Sequence, residues 1–155
     1  MEIPITIGRA TLSDLEEIVA IEESCLSSEE IVSYEFLEES IRKIADTFLV
    51  ARDENQLLGY VLGESQSLHP KWIEIKSFAI HPDHRGQGLG TLLLASLKQV
   101  AVEGGYEYLH LTCPDDLLSY FEMNDFATGE LLEASYARFS GWNLIWANPF
   151  YQEEV

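Results

Sequence analysis

Basic residues are scarce in this chain: 9 Lys and Arg stand against 27 Asp and Glu, a formal net charge of −18 over 155 residues. Nucleic acid and anionic membrane both need a basic footprint, so neither is an expected partner. A cationic partner such as an amine suits the charge, and so does plain solubility. Cysteine is also scarce. Cys25 and Cys113 are far apart, and the expectation is two reduced thiols in a cytoplasmic protein rather than a disulfide. No apolar run reaches bilayer length, and no basic-plus-apolar leader opens the chain. His69, His81, His84 and His110 show no metal spacing of the H-x-x-x-H kind, so no metal is expected. Repeats, linkers and low-complexity tracts are lacking, which predicts a single domain over residues 1–155. A chain that is 46% hydrophobic and 23% charged has material for a real core.

What the chain does have is one strongly organised stretch. Trp72 to Ile80 alternates, with Trp72, Glu74, Lys76, Phe78 and Ile80 on one face and Ile73, Ile75, Ser77 and Ala79 on the other. His81-Pro82-Asp83 ends the strand, because proline removes a donor and restricts the residue before it. Arg85-Gly86-Gln87-Gly88-Leu89-Gly90 follows, and Leu89, Leu93, Leu97 and Ala101 form one helical stripe. A helix start carries unpaired N–H groups and a partial positive charge, and glycines before it let an anion approach them. The stretch predicts a phosphate cradle or, more plainly, a tight turn. It is no Walker loop, since no Gly-Lys-Ser/Thr follows. It also departs from G-x-G-x-x-G, because Thr91 stands where the third glycine belongs.

Arg85-x-x-Gly88-x-Gly90, set between a strand and a helix, resembles the acetyl-CoA pyrophosphate loop of the GNAT superfamily of N-acetyltransferases. The run L-H-L-T-C-P-D-D-L-L-S-Y-F-E-M-N-D-F resembles that family's second block, and its wording is closest to the arylalkylamine (serotonin-type) members and their bacterial relatives. The resemblance spans about residues 5 to 147. It implies an α/β (α+β) fold of GNAT type: a mixed, mostly antiparallel central sheet with a splayed parallel strand pair and helices on both faces. It implies acetyl-CoA as co-substrate. The backbones of Phe78, Ala79 and Ile80 would hold pantetheine. Arg85, Gly86, Gln87, Gly88, Leu89, Gly90 and Thr91 would hold the pyrophosphate.

The implied chemistry is attack of an amine on a thioester. It needs a proton acceptor for the amine, donors for the oxyanion and a proton for the leaving thiolate. The paired histidines of the arylalkylamine members fall on Glu74 and Lys76 here, so that relay does not transfer. Glu74 becomes a candidate base or an ordinary polar strand residue. The family tyrosine that protonates the thiolate falls on Phe121 and the following glycine on Asp125, and the family asparagine falls on Pro114. Tyr120 is the neighbouring hydroxyl, about a third of a helical turn away. His110 shares a strand face with Tyr106, Tyr108 and Thr112, and its plain reading is a hydrogen-bonded structural histidine. Cys113 reads as a small buried hydrophobe rather than an acyl carrier. The late aromatics Tyr136, Phe139, Trp142, Trp146, Phe150 and Tyr151, with Tyr34 and Phe36, suit an acceptor wall, core packing or a homodimer contact.

Around this stretch the expected elements are a strand over Ile3–Ile7, a helix from Asp14 capped by Ser13-x-x-Glu16, and a helix from Ser27 or Ser28 to Ala45. A hairpin over Asp46–Ala51 and Leu57–Ser65 follows. After the central helix, which should stop at Gly104-Gly105, come a strand over Tyr106–Thr112, a short helix from Pro114 to Met123, and a closing hairpin over Phe126–Ala137 and Trp142–Trp146. The functional expectation is an acetyl-CoA-dependent N-acetyltransferase of a small arylalkyl- or polyamine, acting by direct attack in a ternary complex. A GNAT-fold acyl-CoA-binding regulator with little activity and a protein or peptide N-acetyltransferase stay open beside it.

Overall fold

In the computed structural model of the chain, the described residues are 4–26, 32–43, 46–65, 70–128, 136–137 (backbone only) and 141–153. Eight strands and four α-helices follow one another: β1 (Thr6–Arg9), α1 (Leu15–Cys25), α2 (Tyr34–Lys43), β2 (Phe48–Arg52), β3 (Leu57–Ser65), β4 (Trp72–Ile80), α3 (Leu89–Glu103), β5 (Tyr108–Cys113), α4 (Leu118–Met123), β6 (Ala127–Thr128), β7 (Tyr136–Ala137) and β8 (Gly141–Ala147). The hydrogen-bonded strand order is β1-β2-β3-β4-β5-β8-β6, with β7 also on β8. The pair β4–β5 is parallel, and β1–β2, β2–β3, β5–β8, β6–β8 and β7–β8 are antiparallel. This is the mixed, mostly antiparallel sheet that the sequence predicts.

The chain packs as two compact units. One comprises residues 1–63 and 76–97, the other 64–75 and 98–155. In the first, Leu15, Ile18 and Ile21 of α1 and Leu37 of α2 share a core with Phe48, Val50, Tyr60, Leu62 and Ala79 from the strands. A polar staple ties α1 to the β2–β3 hairpin. Arg52 reaches Asp14 (2.7 Å) and Glu17 (2.9 Å), and Glu17 Oε2 accepts the Leu57 N–H (2.7 Å). The hairpin itself closes on Asp53, whose Oδ1 accepts the N–H groups of Asn55 and Gln56, a local turn that only a short carboxylate or amide makes. In the second unit, Ile73, Leu109, Leu111, Cys113, Phe121, Phe126 and Leu144 are all buried. Lys98 donates to the Asn124 carbonyl at the end of α4 and lies 5.5 Å from the Phe126 ring centroid and 5.7 Å from that of Trp146. Burial lowers its pKa, and Asp125 partly offsets this. Asn124 Nδ2 in turn donates to the Tyr120 carbonyl, so α4 ends on a satisfied set of carbonyls.

β3, β4 and α3 keep their expected bounds, and Leu89, Leu93, Leu97 and Ala101 are buried as one stripe. Other boundaries move. The first strand is Thr6–Arg9, not Ile3–Ile7, because its register pairs Thr6 with Arg52 and Arg9 with Leu49. The capping box is Thr11 with Asp14, not Ser13 with Glu16. Asp14 Oδ2 accepts the Thr11 N–H at 2.8 Å, and a 3-10 turn (Leu12–Asp14) precedes α1. A short side chain three residues on reaches the Thr11 amide, and Arg52 holds it there. The second helix is described from Tyr34 to Lys43, with Ser33 Oγ accepting the Phe36 N–H. The caps expected at Ser27 or Ser28, and the end at Ala45, lie outside the described residues. Of the expected closing hairpin, Ala127–Thr128 and Tyr136–Ala137 pair antiparallel with β8, and residues 129–135 and 138–140, with Ser140, lie outside the described residues.

Asp125 has φ +70°, the left-handed region that the family motif fills with glycine. Its carboxylate is exposed and 4.0 Å from Lys98, a separation that contributes little. Asp125→Gly is expected to raise stability by about 0.5–1 kcal/mol, by removing the Cβ that the left-handed conformation disfavours. That corresponds to a Tm rise of about 2 °C for a chain of this size. A Tm at or below that of the wild type in thermal melts would contradict it.

Candidate functional site

The first unit holds the predicted anion cradle. Gly86 and Gly88 have φ of +78° and +80°, which L residues rarely adopt, so both glycines serve the bend of the loop. With Arg85 and Gln87 they are exposed. Leu92 N–H bonds the Gly88 carbonyl at 3.0 Å as α3 begins. The amides of Leu89, Gly90 and Thr91 therefore belong to the first turn, where no intrahelical acceptor precedes them. The loop is braced from behind. His81 N–H bonds the Leu58 carbonyl (2.7 Å), His84 N–H bonds the His81 carbonyl (2.9 Å), and the Gln56 side chain meets His84 Nε2 at 2.8 Å. Residues 85–91 thus combine exposed glycines, an arginine and a helix start, the chemistry a pyrophosphate needs.

Before the loop, Phe78 and Ile80 are half-buried and Ala79 is buried. The Cys25 thiol donates to the Ile80 carbonyl at 3.2 Å. On the buried face of β4, Ser77 bonds the Tyr60 hydroxyl at 2.8 Å. Glu22 of α1, only 1% exposed, joins that pair, and its Oε2 has no hydrogen-bond partner among the described residues. Burial raises its carboxyl above the ordinary value, against the lowering effects of the Val32 N–H and the Tyr60 and Ser77 hydroxyls. Glu23 adds to the rise. Burial likewise holds Tyr60 protonated.

The second unit holds the predicted acid–base residues. Glu74 is half-buried, and its Oε2 lies 3.7 Å from His110 Nδ1. His110 Nε2 lies 3.2 Å from Asn143 Oδ1, which also accepts the Thr112 hydroxyl at 3.0 Å. Phe121, in the family's tyrosine slot, is 5% exposed and packs edge-on to Phe126. Tyr120 beside it is half-buried. Cys113 is buried, and burial pushes its thiol up to about 11, with Asp116, Asp115 and Glu122 adding to it. It is packing, not a nucleophile. Among the described residues no group of His, Cys, Asp and Glu is arranged to hold a metal ion, and no helix is long and apolar enough to cross a membrane. The aromatics divide: Phe36 packs on the first core, Trp142 donates to the Asp115 carboxylate, and Phe150 is exposed. The Tyr136 side chain and Phe139 lie outside the described residues. Sequence reasoning passed over the pairing of His110 with Asn143. Alternation put His110 on the right face, but nothing local points to a partner 33 residues away.

The model of the acetyltransferase (GNAT) family matches residues 14–120. The chain belongs to the GNAT acetyltransferase family. Membership makes it an acyl-CoA-dependent N-acetyltransferase, and the match takes in Glu74, the 85–91 loop, His110 and Tyr120. No curated protein matches it in sequence. Among solved structures it is similar in fold to Ard1 from Thermoplasma volcanium (TM-score 0.77, 18% identity, 96% of this chain and 99% of that one). It is also similar to the YhbS N-acetyltransferase of Escherichia coli, solved with CoA (0.75, 19%, 96% and 83%). A third is the diaminobutyrate acetyltransferase EctA of Paenibacillus lautus, solved with its substrate and CoA (0.73, 15%, 99% and 100%).

The Glu22 carboxyl gives the fold a pH dependence whose sign is fixed. A raised carboxyl binds its proton more tightly in the folded than in the unfolded chain. Its contribution is therefore fully present below the unfolded value and lost as pH rises through the folded one. Glu22→Gln removes that loss. The Tm of the variant minus that of the wild type should be flat at acid pH and grow as pH rises. A difference independent of pH would show that burial does not raise the Glu22 carboxyl.

Proposed function

We propose that the protein transfers an acetyl group from acetyl-CoA to the primary amine of a small molecule, by direct attack in a ternary complex. The observation that carries the reading is the 85–91 loop: two left-handed glycines and an arginine leading into the amides of α3. The pyrophosphate would lie on Arg85, Gly86, Gln87, Gly88, Leu89, Gly90 and Thr91, and pantetheine along the backbone of Phe78, Ala79 and Ile80. A thioester is already activated, so holding it and the amine in place supplies much of the rate.

For the acceptor, the net charge of −18 and the Glu74 carboxylate favour a cation, and long-range attraction would help to gather it. Arylalkylamines and polyamines fit best, and the EctA relative acts on a diamine-bearing amino acid. Tyr120 is the proposed source of the proton for the CoA thiolate, since Phe121 has no hydroxyl and is buried while Tyr120 is half-exposed. Tyr120→Phe is expected to lower kcat at least tenfold, within the range of a lost general acid, and leave acetyl-CoA affinity in place.

Calorimetric titration with acetyl-CoA at moderate salt tests the reading. One saturable site is expected in the wild type, with affinity at least tenfold weaker in Gly88→Asp, where a Cβ at φ +80° and a negative charge both oppose the pyrophosphate. Unchanged affinity in Gly88→Asp would remove the loop from the site. No binding at millimolar acetyl-CoA would overturn the reading itself.

A further inference from the structure

The parallel ladder between β4 and β5 pairs Trp72 with Tyr108, Ile73 with Leu109 and Glu74 with His110, and it ends there, while the two strands run on to Ile80 and Cys113. On β5, Leu109, Leu111 and Cys113 are buried, whereas Tyr108, His110 and Thr112 take the less buried face. His110 thus stands at the end of a ladder, on the open side of the strand. Its ring is fixed from β8. Register places Asn143 opposite Thr112 and Ile145 opposite His110, and Asn143 Oδ1 is 3.2 Å from Nε2. An amide oxygen only accepts, so the Nε2 of a neutral ring carries the proton and the lone pair sits on Nδ1. That nitrogen lies 3.7 Å from Glu74 Oε2. The separation is too long for a hydrogen bond and short enough for the carboxylate to attract an ammonium or steady an imidazolium.

We infer that His110 is the general base for the acceptor amine, with Asn143 and Glu74 as its positioning residues. The inference rests on the acetyl-transfer reading above. It assigns the proton to the strand next to the one that carries the histidine pair of the arylalkylamine members. The acceptor arrives as R–NH3+, drawn by Glu74. An N–H bond breaks and an H–Nδ1 bond forms on His110, leaving R–NH2 and an imidazolium beside the carboxylate. The amine lone pair forms the N–C bond to the thioester carbonyl, whose π pair moves to oxygen. Collapse reforms C=O and breaks C–S, the sulfur keeping the pair and taking the Tyr120 proton; the second N–H bond of the attached nitrogen breaks, its proton restoring Tyr120, and the imidazolium returns the first proton to solvent. The balance is R–NH3+ plus acetyl-CoA giving R–NH–acetyl, CoA–SH and one proton. The groups facing His110 are Glu74 from β4, Tyr108 and Thr112 from β5, and Asn143 and Ile145 from β8.

The test uses the full chain with acetyl-CoA and 2-phenylethylamine, tyramine and spermidine as acceptors. Wild-type kcat/KM should fall with unit slope on the acid side. His110→Gln should lose about 100-fold at pH 8 and the acid limb with it, with acetyl-CoA affinity by calorimetry unchanged. Glu74→Gln should raise KM for the cationic acceptor more than it lowers kcat, since the carboxylate that draws the ammonium is gone. Full activity in a folded His110→Gln overturns the base assignment alone, whereas loss of acetyl-CoA binding by the wild type overturns the reading beneath it. An arm free of turnover covers a variant that fails to fold or acceptors that fail to react. In the 15N-histidine-labelled wild type, the His110 resonance should report the Nε2–H tautomer, identified by its change in Asn143→Leu. An Nδ1–H tautomer overturns the proposal.

Discussion

Strand β4 is the element on which the working parts depend, because its backbone has to be satisfied on two sides. On one it neighbours β3. On the other its parallel ladder with β5 holds three residue pairs and stops at Glu74 and His110. A strand's N–H and C=O groups need partners wherever water is excluded. On the buried face of β4, Ser77 bonds Tyr60 and the Glu22 carboxyl joins them. That acid is costly to bury charged, and burial raises its carboxyl above the ordinary value.

The charge of the chain and the charge of its co-substrate conflict, and the fold answers locally. A net −18 repels a polyanion such as CoA at long range, but salt screens that field over about 10 Å. At contact, the first-turn amides of α3, the exposed Arg85 and the bend allowed by Gly86 and Gly88 present donors at hydrogen-bond range, where direct contacts outweigh a screened field.

Much of the architecture was legible because it follows from local rules. The period-2 pattern of residues 72–80, the His-Pro break and the stripe of Leu89, Leu93, Leu97 and Ala101 each depend on neighbours in sequence, and β4 and α3 kept their bounds. The misread boundaries belong to residues whose partners are remote. Thr6–Arg9 is a strand because of β2, and Asp14 caps Thr11 while Arg52 holds its other oxygen. The left-handed Asp125 was visible only as a glycine slot filled by something else.

The sequence by itself determined the strand, the glycine bend and the helix start, and with them a family, since backbone dihedrals and helix-terminal amides are set within a few residues. Which polar side chains come together was decided by tertiary structure. Glu74, His110 and Asn143 come from three strands and meet only through the register of a parallel and an antiparallel ladder. A one-residue slip in either would turn His110 to the opposite face, and no local pattern records that register.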